Sequence, residues 1–298
     1  MLKDLFLEGF RMPGEWEKQK SVWIVWPHNK KDWPGLFDKI PEVVSKIVCN
    51  LSINQTVNLI IRTNKDKERI KLELKKFKND LSKIKFHLIL TNRIWIRDSG
   101  PLFLINNEKG KKIILDFRFN GWSKYSDYQK DDKINTKIAK LIKIKKIEPK
   151  IKVKKNLKKI VLEGGAIDVN GQGSILLTRE CLLSKVQERN PGVNKLNLEN
   201  AFRKYLNLKN FIWLNKGIKG DDTHGHIDDI ARFVSPNTIM AAIEKNKKDR
   251  NFKNLNENLQ ILKKSSNTNG KKFKIIKIPM PKPIYINNVQ VPASYLNF

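Results

Sequence analysis

Ten consecutive residues, Gly220-Asp221-Asp222-Thr223-His224-Gly225-His226-Ile227-Asp228-Asp229, hold four carboxylates, two imidazoles and no basic side chain. The chain around them is strongly basic, with 60 Lys and Arg against 30 Asp and Glu and a formal charge of +30. Four Asp held together repel one another and raise each other's pKa unless a cation sits among them. That cation is either a metal or a positively charged substrate, and the two imply different chemistry.

A metal reading starts from Thr223-His224-Gly225-His226-Ile227-Asp228-Asp229, because imidazole and carboxylate in alternation suit zinc. The pattern approaches the His-x-His-x-Asp-His motif of metallo-β-lactamase-like hydrolases but ends in Asp229 instead of His. The four histidines are His28, His87, His224 and His226, so none follows His226 to complete a site. The other reading is a site for a planar cation. A guanidinium presents donors in a fixed fork that carboxylates accept two at a time. Asp98 and Asp228 are the candidate clamp, with Glu163 a third acid and His226 a proton carrier near neutral pH. Each also has a plainer reading: Arg97-Asp98 as an internal ion pair, Glu163 as a turn acid.

Those residues stand at the ends of predicted strands, beside glycines that let backbone approach. Val22 to Trp26, Val57 to Ile61 and Ile84 to Leu90 read as strands, and Leu36 to Leu51 and Lys65 to Phe77 as amphipathic helices. Leu102 to Ile105 and Lys112 to Phe117 form a hairpin through Asn106 to Gly110. Ile160 to Leu162 and Ser174 to Thr178 are strands around the turn Val169 to Gly173. Phe202 to Leu206 closes a helix, Phe211 to Leu214 is a strand, Ala231 to Ala242 continues as strands, and Leu255 to Leu262 is helical. Short alternation of this kind predicts an α/β protein. Trp95-Ile96-Arg97-Asp98, Glu163-Gly164-Gly165 and His226-Ile227-Asp228 each set an ionisable group beside a strand, which suggests small modules converging on one centre, although no sequence repeat is visible.

A hydrophobic content of 40% with 9% aromatics is enough for one large core, and no Pro/Ser linker divides the chain, so 1–298 reads as a single domain. No apolar run reaches the roughly 18 residues that span a bilayer. Two cysteines, Cys49 and Cys181, make no disulfide framework, and a cytoplasmic setting is expected. The excess charge is mostly Lys spread among Ile and Asn. Only Lys137 to Lys159 is dense, and it reads as a solvated helix followed by a strand; nucleic acid is not an expected partner.

Met12-Pro13-Gly14-Glu15-Trp16-Glu17, Trp23 to Trp33, Trp95 to Pro101, Asp116-Phe117-Arg118-Phe119-Asn120, Glu163-Gly164-Gly165 and Gly220 to Phe233, taken in order, resemble agmatine deiminases of the guanidine-modifying superfamily. The resemblance implies a pentein-type, five-fold pseudosymmetric α/β propeller. It also implies hydrolysis of agmatine to N-carbamoylputrescine and ammonia, with neither metal nor cofactor. By position it makes Asp98, Glu163, His226 and Asp228 catalytic, and lines the pocket for the small cationic substrate with Trp95 and Asp222. The family's nucleophile is a cysteine thiolate in a C-terminal Gly-rich segment. This sequence ends at Phe298 without it, so the expectation is an incomplete last module, a nucleophile beyond Phe298, and little or no turnover. Cys181 reads as a structural thiol and Cys49 as a small core hydrophobe. A binding-only polyamine or guanidine protein and a peptidyl-arginine deiminase are the alternatives, and a homo-oligomer is left open.

Overall fold

The computed structural model describes residues 9–77 and 80–298. Its N-terminal unit is β1 (Ser21–Val25), α1 (Ile40–Asn54), β2 (Thr56–Ile61), α2 (Asn64–Lys75) and β3 (Ile84–Leu88), with the strands parallel in the order β1-β2-β3. Val57 to Ile61 is buried at every position and apolar except for Asn58, the near-continuous run that a parallel strand covered on both faces requires. Pro41 opens α1, where its missing N–H is no loss, and Val44 and Val48 face the sheet. Thr63 caps α2 by accepting from the Asp66 N–H at 3.1 Å.

The second unit begins with the one-turn α3 (Ile96–Ser99), then β4 (Leu102–Asn106), β5 (Lys111–Leu115), α4 (Ile134–Leu141) and β6 (Lys146–Ile147). A small hairpin, β7 (Lys150–Val153) with β8 (Asn156–Lys159), leads on. The third unit is β9 (Asp168–Val169), β10 (Ser174–Thr178), α5 (Arg179–Leu183), α6 (Lys195–Leu206) and β11 (Asn210–Leu214). The fourth is β12 (Ala231–Ser235), β13 (Thr238–Ile243), α7 (Phe252–Lys264) and β14 (Lys274–Pro279), followed by a short hairpin of β15 (Tyr285–Ile286) and β16 (Val289–Gln290). Units two to four share one wiring: a strand, an antiparallel neighbour, a helix, then a strand parallel to the middle one. The repetition expected from converging modules is therefore topological, with four three-stranded sheets among the described residues.

Each sheet packs through both faces. On β10, Ile175 and Leu177 enter one core with Phe10, Leu104 and Phe202, while Leu176 enters the next with Leu214, Ile239 and Leu255. That split follows from the two-residue period of a strand. Val25, Ile60, Ile114 and Ile138 join the first and second units in the same way. Each fully buried aliphatic side chain of this kind contributes about 1.5–3 kcal/mol. The units are thereby locked side by side, and the turns at their strand ends carry the polar residues.

Three expectations need correction. Ile160 to Leu162 makes only an isolated bridge, Val161 with Arg118, and is not a strand. The first helix begins at Ile40 after a 3₁₀ turn, not at Leu36. The basic run ends in the β7–β8 hairpin, and two of its lysines neutralise a buried acid. Lys146 Nζ and Lys159 Nζ lie 2.5 and 3.1 Å from Asp116 Oδ2. Among the described residues no helix is long and apolar enough to cross a membrane.

Candidate active site

Three turns bring the predicted residues together. Asp98 sits in α3, Glu163 precedes the 3₁₀ turn Gly164–Ala166, and His226 and Asp228 belong to the loop before β12. His226 is the hub. Its Nδ1 lies 3.6 Å from Asp98 Oδ1 and 4.0 Å from Asp228 Oδ1, and its Nε2 lies 3.8 Å from Glu163 Oε2. All four side chains are buried.

Gly165 explains how three polar groups share so little space. A Cβ there would lie 2.4 Å from His226 Nδ1, 2.7 Å from Asp98 Oδ1 and 2.9 Å from Asp228 Oδ2. The imidazole and both carboxylates therefore rest on the bare Cα, which only glycine provides. The same turn ties the loops together by backbone: Gly165 N donates to Asp98 Oδ1 at 3.2 Å, and Gly165 O accepts from Ile227 N at 3.1 Å.

The acidic loop is held by its own first residue. Asp221 Oδ1 accepts from Thr223 N at 2.7 Å, and Oδ2 accepts from Gly225 N at 2.6 Å and His226 N at 3.0 Å. Gly225, at φ 89° with the Glu180 side chain against its Cα, makes the bend that turns His226 inward. The four Asp of the cluster consequently separate: Asp221 serves backbone amides, Asp222 pairs with Lys124 and Tyr125, Asp228 faces the site, and Asp229 accepts from Asn297 Nδ2 at 3.1 Å. The expected crowd of four carboxylates around one cation reduces to Asp228, with Asp98 and Glu163 arriving from elsewhere. His224 bonds Ser184 Oγ at 3.1 Å and takes no part.

Partners the sequence did not disclose complete the electrostatics. Arg189 Nε donates to Glu163 Oε1 at 3.1 Å, with both side chains fully buried. Trp122 Nε1 donates to Asp98 Oδ2 at 3.1 Å. Arg97 Nε stands 3.6 Å from Asp228 Oδ2 while its NH1 meets Glu15 at 2.5 Å. Glu15 also contacts Arg232, whose Nε lies 2.5 Å from Asp168. Asp228 is thus the end of an ionic chain whose middle members, Arg97 and Glu15, are half-buried and whose far end, Arg232 with Asp168, is buried. A fully buried Glu163 needed a cationic partner, a requirement that could have drawn attention to the isolated Arg189.

Burial pushes the Asp98 carboxyl up to about 6 although His226 pulls it down, and burial likewise raises Asp228 against His226 and Arg97. Burial would raise Glu163 too, but Arg189 and His226 outweigh it and hold it below its usual range. Burial opposes charging of His226, yet Asp98, Cys181 and Glu163 outweigh it and lift the imidazole well above its usual value, which favours its charged form. Three acids of unequal readiness to ionise flank one imidazole, an arrangement suited to proton transfer.

Trp95 and Asp222 stand outside this quartet. Trp95 is 41% exposed and packs on Trp33 with ring centroids 5.6 Å apart. Asp222 is connected to the centre through Gln187, whose Nε2 donates to both Asp222 O and Trp122 O, and through Tyr125, whose hydroxyl meets Asp222 and whose ring packs edge-on against Trp122. Cys49 lies in the N-terminal core. Cys181 departs from the sequence reading, which set it apart as structural: it is buried, but its Sγ, a Glu163 oxygen and a His226 nitrogen all lie within 4.8 Å of one another. Its flanking Leu182 and Leu183 gave it the appearance of an ordinary core position.

The chain as a whole has known relatives. The model of the family described as Porphyromonas-type peptidyl-arginine deiminase matches residues 11–298. The agmatine deiminase of Pseudomonas aeruginosa (strain LESB58) is 29% identical over 98% of this chain and 81% of its own length. Among solved structures, a C. jejuni agmatine deiminase with substrate bound is 33% identical with a TM-score of 0.82, covering 97% of this chain and 79% of that one. An Enterococcus faecalis agmatine deiminase is 27% identical with a TM-score of 0.85, covering 98% and 81%. The α/β fold of the pentein type expected from the sequence is the fold of these neighbours. The chain belongs to the Porphyromonas-type peptidyl-arginine deiminase family.

Proposed function

We propose that the centre built on Gly165 binds the guanidinium of agmatine and serves hydrolysis of its C–N bond to N-carbamoylputrescine and ammonia. The observation that carries this reading is the convergence of Asp98, Asp228 and Glu163 on one imidazole, His226. Asp98 and Asp228 take opposite edges of the guanidinium plane, where paired N–H donors match a carboxylate. The clamp draws positive charge onto the central carbon and makes it easier to attack. His226 delivers a proton to the departing nitrogen and takes one from the incoming water, while Glu163, fixed by Arg189, holds the ring in place. Trp95 and Asp222 are assigned to the outer pocket, with Asp222 receiving the far amine.

The attack itself calls for a thiolate, as the resemblance implies. Cys49 is in another core, and burial raises the Cys181 thiol. We therefore expect this 298-residue chain to bind agmatine and turn it over slowly or not at all, since binding and acid–base groups alone retain only a small part of a rate enhancement. Calorimetry with agmatine, putrescine and an N-acylated arginine amide, run beside an ammonia-release assay, is the test. Agmatine should bind, putrescine should bind far more weakly for want of the guanidinium, and the acylated arginine should be the poorer guanidine. Equal heats for agmatine and putrescine would sink the clamp. Tighter binding of the acylated arginine would shift the substrate to peptidyl-arginine. Robust ammonia release would show that one of the two thiols, or direct water attack, suffices.

A further inference from the structure

We infer that Glu163, Cys181 and His226 form a site for one thiophilic divalent cation, Zn²⁺ being the ion that the donor set fits. The three come from separate segments: the turn before Gly164–Ala166, the first turn of α5, and the loop before β12. They offer one oxygen, one sulfur and one nitrogen within 4.8 Å of one another, all buried. A tetrahedral zinc with bonds of about 2.0–2.3 Å needs donors roughly 3.3–3.7 Å apart, so a closure of about 1 Å seats the ion. Two of the donors are unsatisfied: Glu163 Oε2 and His226 Nε2 are buried without a hydrogen-bond partner, 3.8 Å apart. Such atoms are costly to leave unpaired, and a cation between them answers both.

The surroundings are already those of metal ligands. The second Glu163 oxygen is held by Arg189 Nε at 3.1 Å, and the second His226 nitrogen faces Asp98 Oδ1 at 3.6 Å, the carboxylate–histidine orientation that steadies a zinc ligand. Thiolate and carboxylate together cancel the charge of the ion. Coordination sends the thiol proton and the imidazolium proton to solvent. Because the ion takes His226 and Glu163, it excludes agmatine; only this exclusion rests on the guanidinium reading.

The full chain, stripped with a chelator, is titrated with Co²⁺ and then Zn²⁺. One equivalent of Co²⁺ should give tetrahedral d–d bands and a thiolate-to-metal charge-transfer band, which Zn²⁺ displaces. C181S should lose the charge-transfer band and weaken binding on the order of 100-fold or more, while C49S keeps both. Absence of the band in the unmodified chain, or its survival in C181S with loss in C49S, overturns the site. Should C181S not fold, X-ray absorption on the zinc-loaded unmodified chain decides: one sulfur in the shell supports the site, and an all-nitrogen-and-oxygen shell overturns it. Agmatine should bleach the cobalt bands. If the bands form but resist agmatine, the shared occupancy falls and the fault lies with the substrate reading, not with the metal site.

Discussion

Gly165→Ala is the most direct perturbation of the centre because one methyl group meets three functional atoms at once. Ordinary contact for a Cβ begins near 3.4 Å, and the distances here are 2.4, 2.7 and 2.9 Å to His226 Nδ1, Asp98 Oδ1 and Asp228 Oδ2. The imidazole must therefore withdraw by about 1 Å, and the two carboxylates by about half as much or slightly more. Overpacking a tight interior costs about 1–3 kcal/mol, a Tm drop of roughly 2–9 °C for a chain of this size. Misplacing positioned groups by about 1 Å costs on the order of 100-fold in what they do together, so agmatine affinity should fall by that factor. Leu59→Ala is the control. Leu59 is fully buried in the N-terminal core, and its truncation costs about 2–5 kcal/mol, lowering Tm at least as far without touching the site. Calorimetry and thermal melts on both variants separate stability from recognition. If Gly165→Ala binds agmatine within about threefold of the parent, or if Leu59→Ala loses binding equally while folded, the three groups on Gly165 are not the binding centre.

Further consequences can be checked separately. Arg189→Met strands the fully buried Glu163 charge and should destabilise the fold by about 3–5 kcal/mol, with Glu163→Gln in the same chain restoring much of it. Single and double variants that melt alike would show that the pair contributes nothing. Asp131, which accepts from Asn92 N at 2.7 Å and Arg93 N at 3.1 Å, is pushed up to about 7, chiefly by burial. Its folded pKa exceeds the unfolded one, so its contribution is fully present below pH about 4 and is lost as pH rises through 7. Asp131→Asn should accordingly flatten the decline in denaturant stability across that window, by at most about 4 kcal/mol, and parallel pH profiles would contradict this. Asp222→Asn should weaken agmatine only a few-fold, as exposed ion pairs are worth about 1 kcal/mol or less. It should leave methylguanidinium binding unchanged, because that ion lacks the far amine; an equal loss for both ligands would remove Asp222 from the outer pocket.

The acids of the centre were legible because their type conflicts with the composition: Asp98, Glu163 and Asp228 beside glycines stand out in a chain this basic. Their partners were not. Arg97, Trp122, Arg189 and Cys181 reach the site through turns that sequence periodicity does not describe, and a buried Cys next to leucines reads the same whether it fills a core or borders a histidine. Long apolar strands such as β2 were plain, but β6 and β9, two residues each, are too short to show a period. Ile160 to Leu162 looked like a strand because it is apolar, yet its amides go to Pro149 O, Asn190 Oδ1 and Arg118 O in turn, so no ladder forms. The common wiring of three units was hidden because interchangeable Ile, Leu and Val can fill equivalent core positions without leaving a repeat.

Charge accounting at the centre identifies which acid is waiting for the ligand. Glu163 is satisfied by Arg189, and Asp228 closes the chain that runs through Arg97, Glu15, Arg232 and Asp168. Among the described residues, Asp98 has the neutral donors Trp122 Nε1 and Gly165 N within hydrogen-bonding distance, with His226 at 3.6 Å. Its carboxyl is pushed up to about 6, mainly by burial. An incoming cation that pairs with Asp98 relieves that burial cost, which His226 offsets only in part. A protein with so large a positive charge repels cations at long range, but that repulsion is screened beyond about 8 Å at physiological salt. Selectivity for a small dication therefore has to be generated at close quarters, and Asp98 is where the fold leaves room for it.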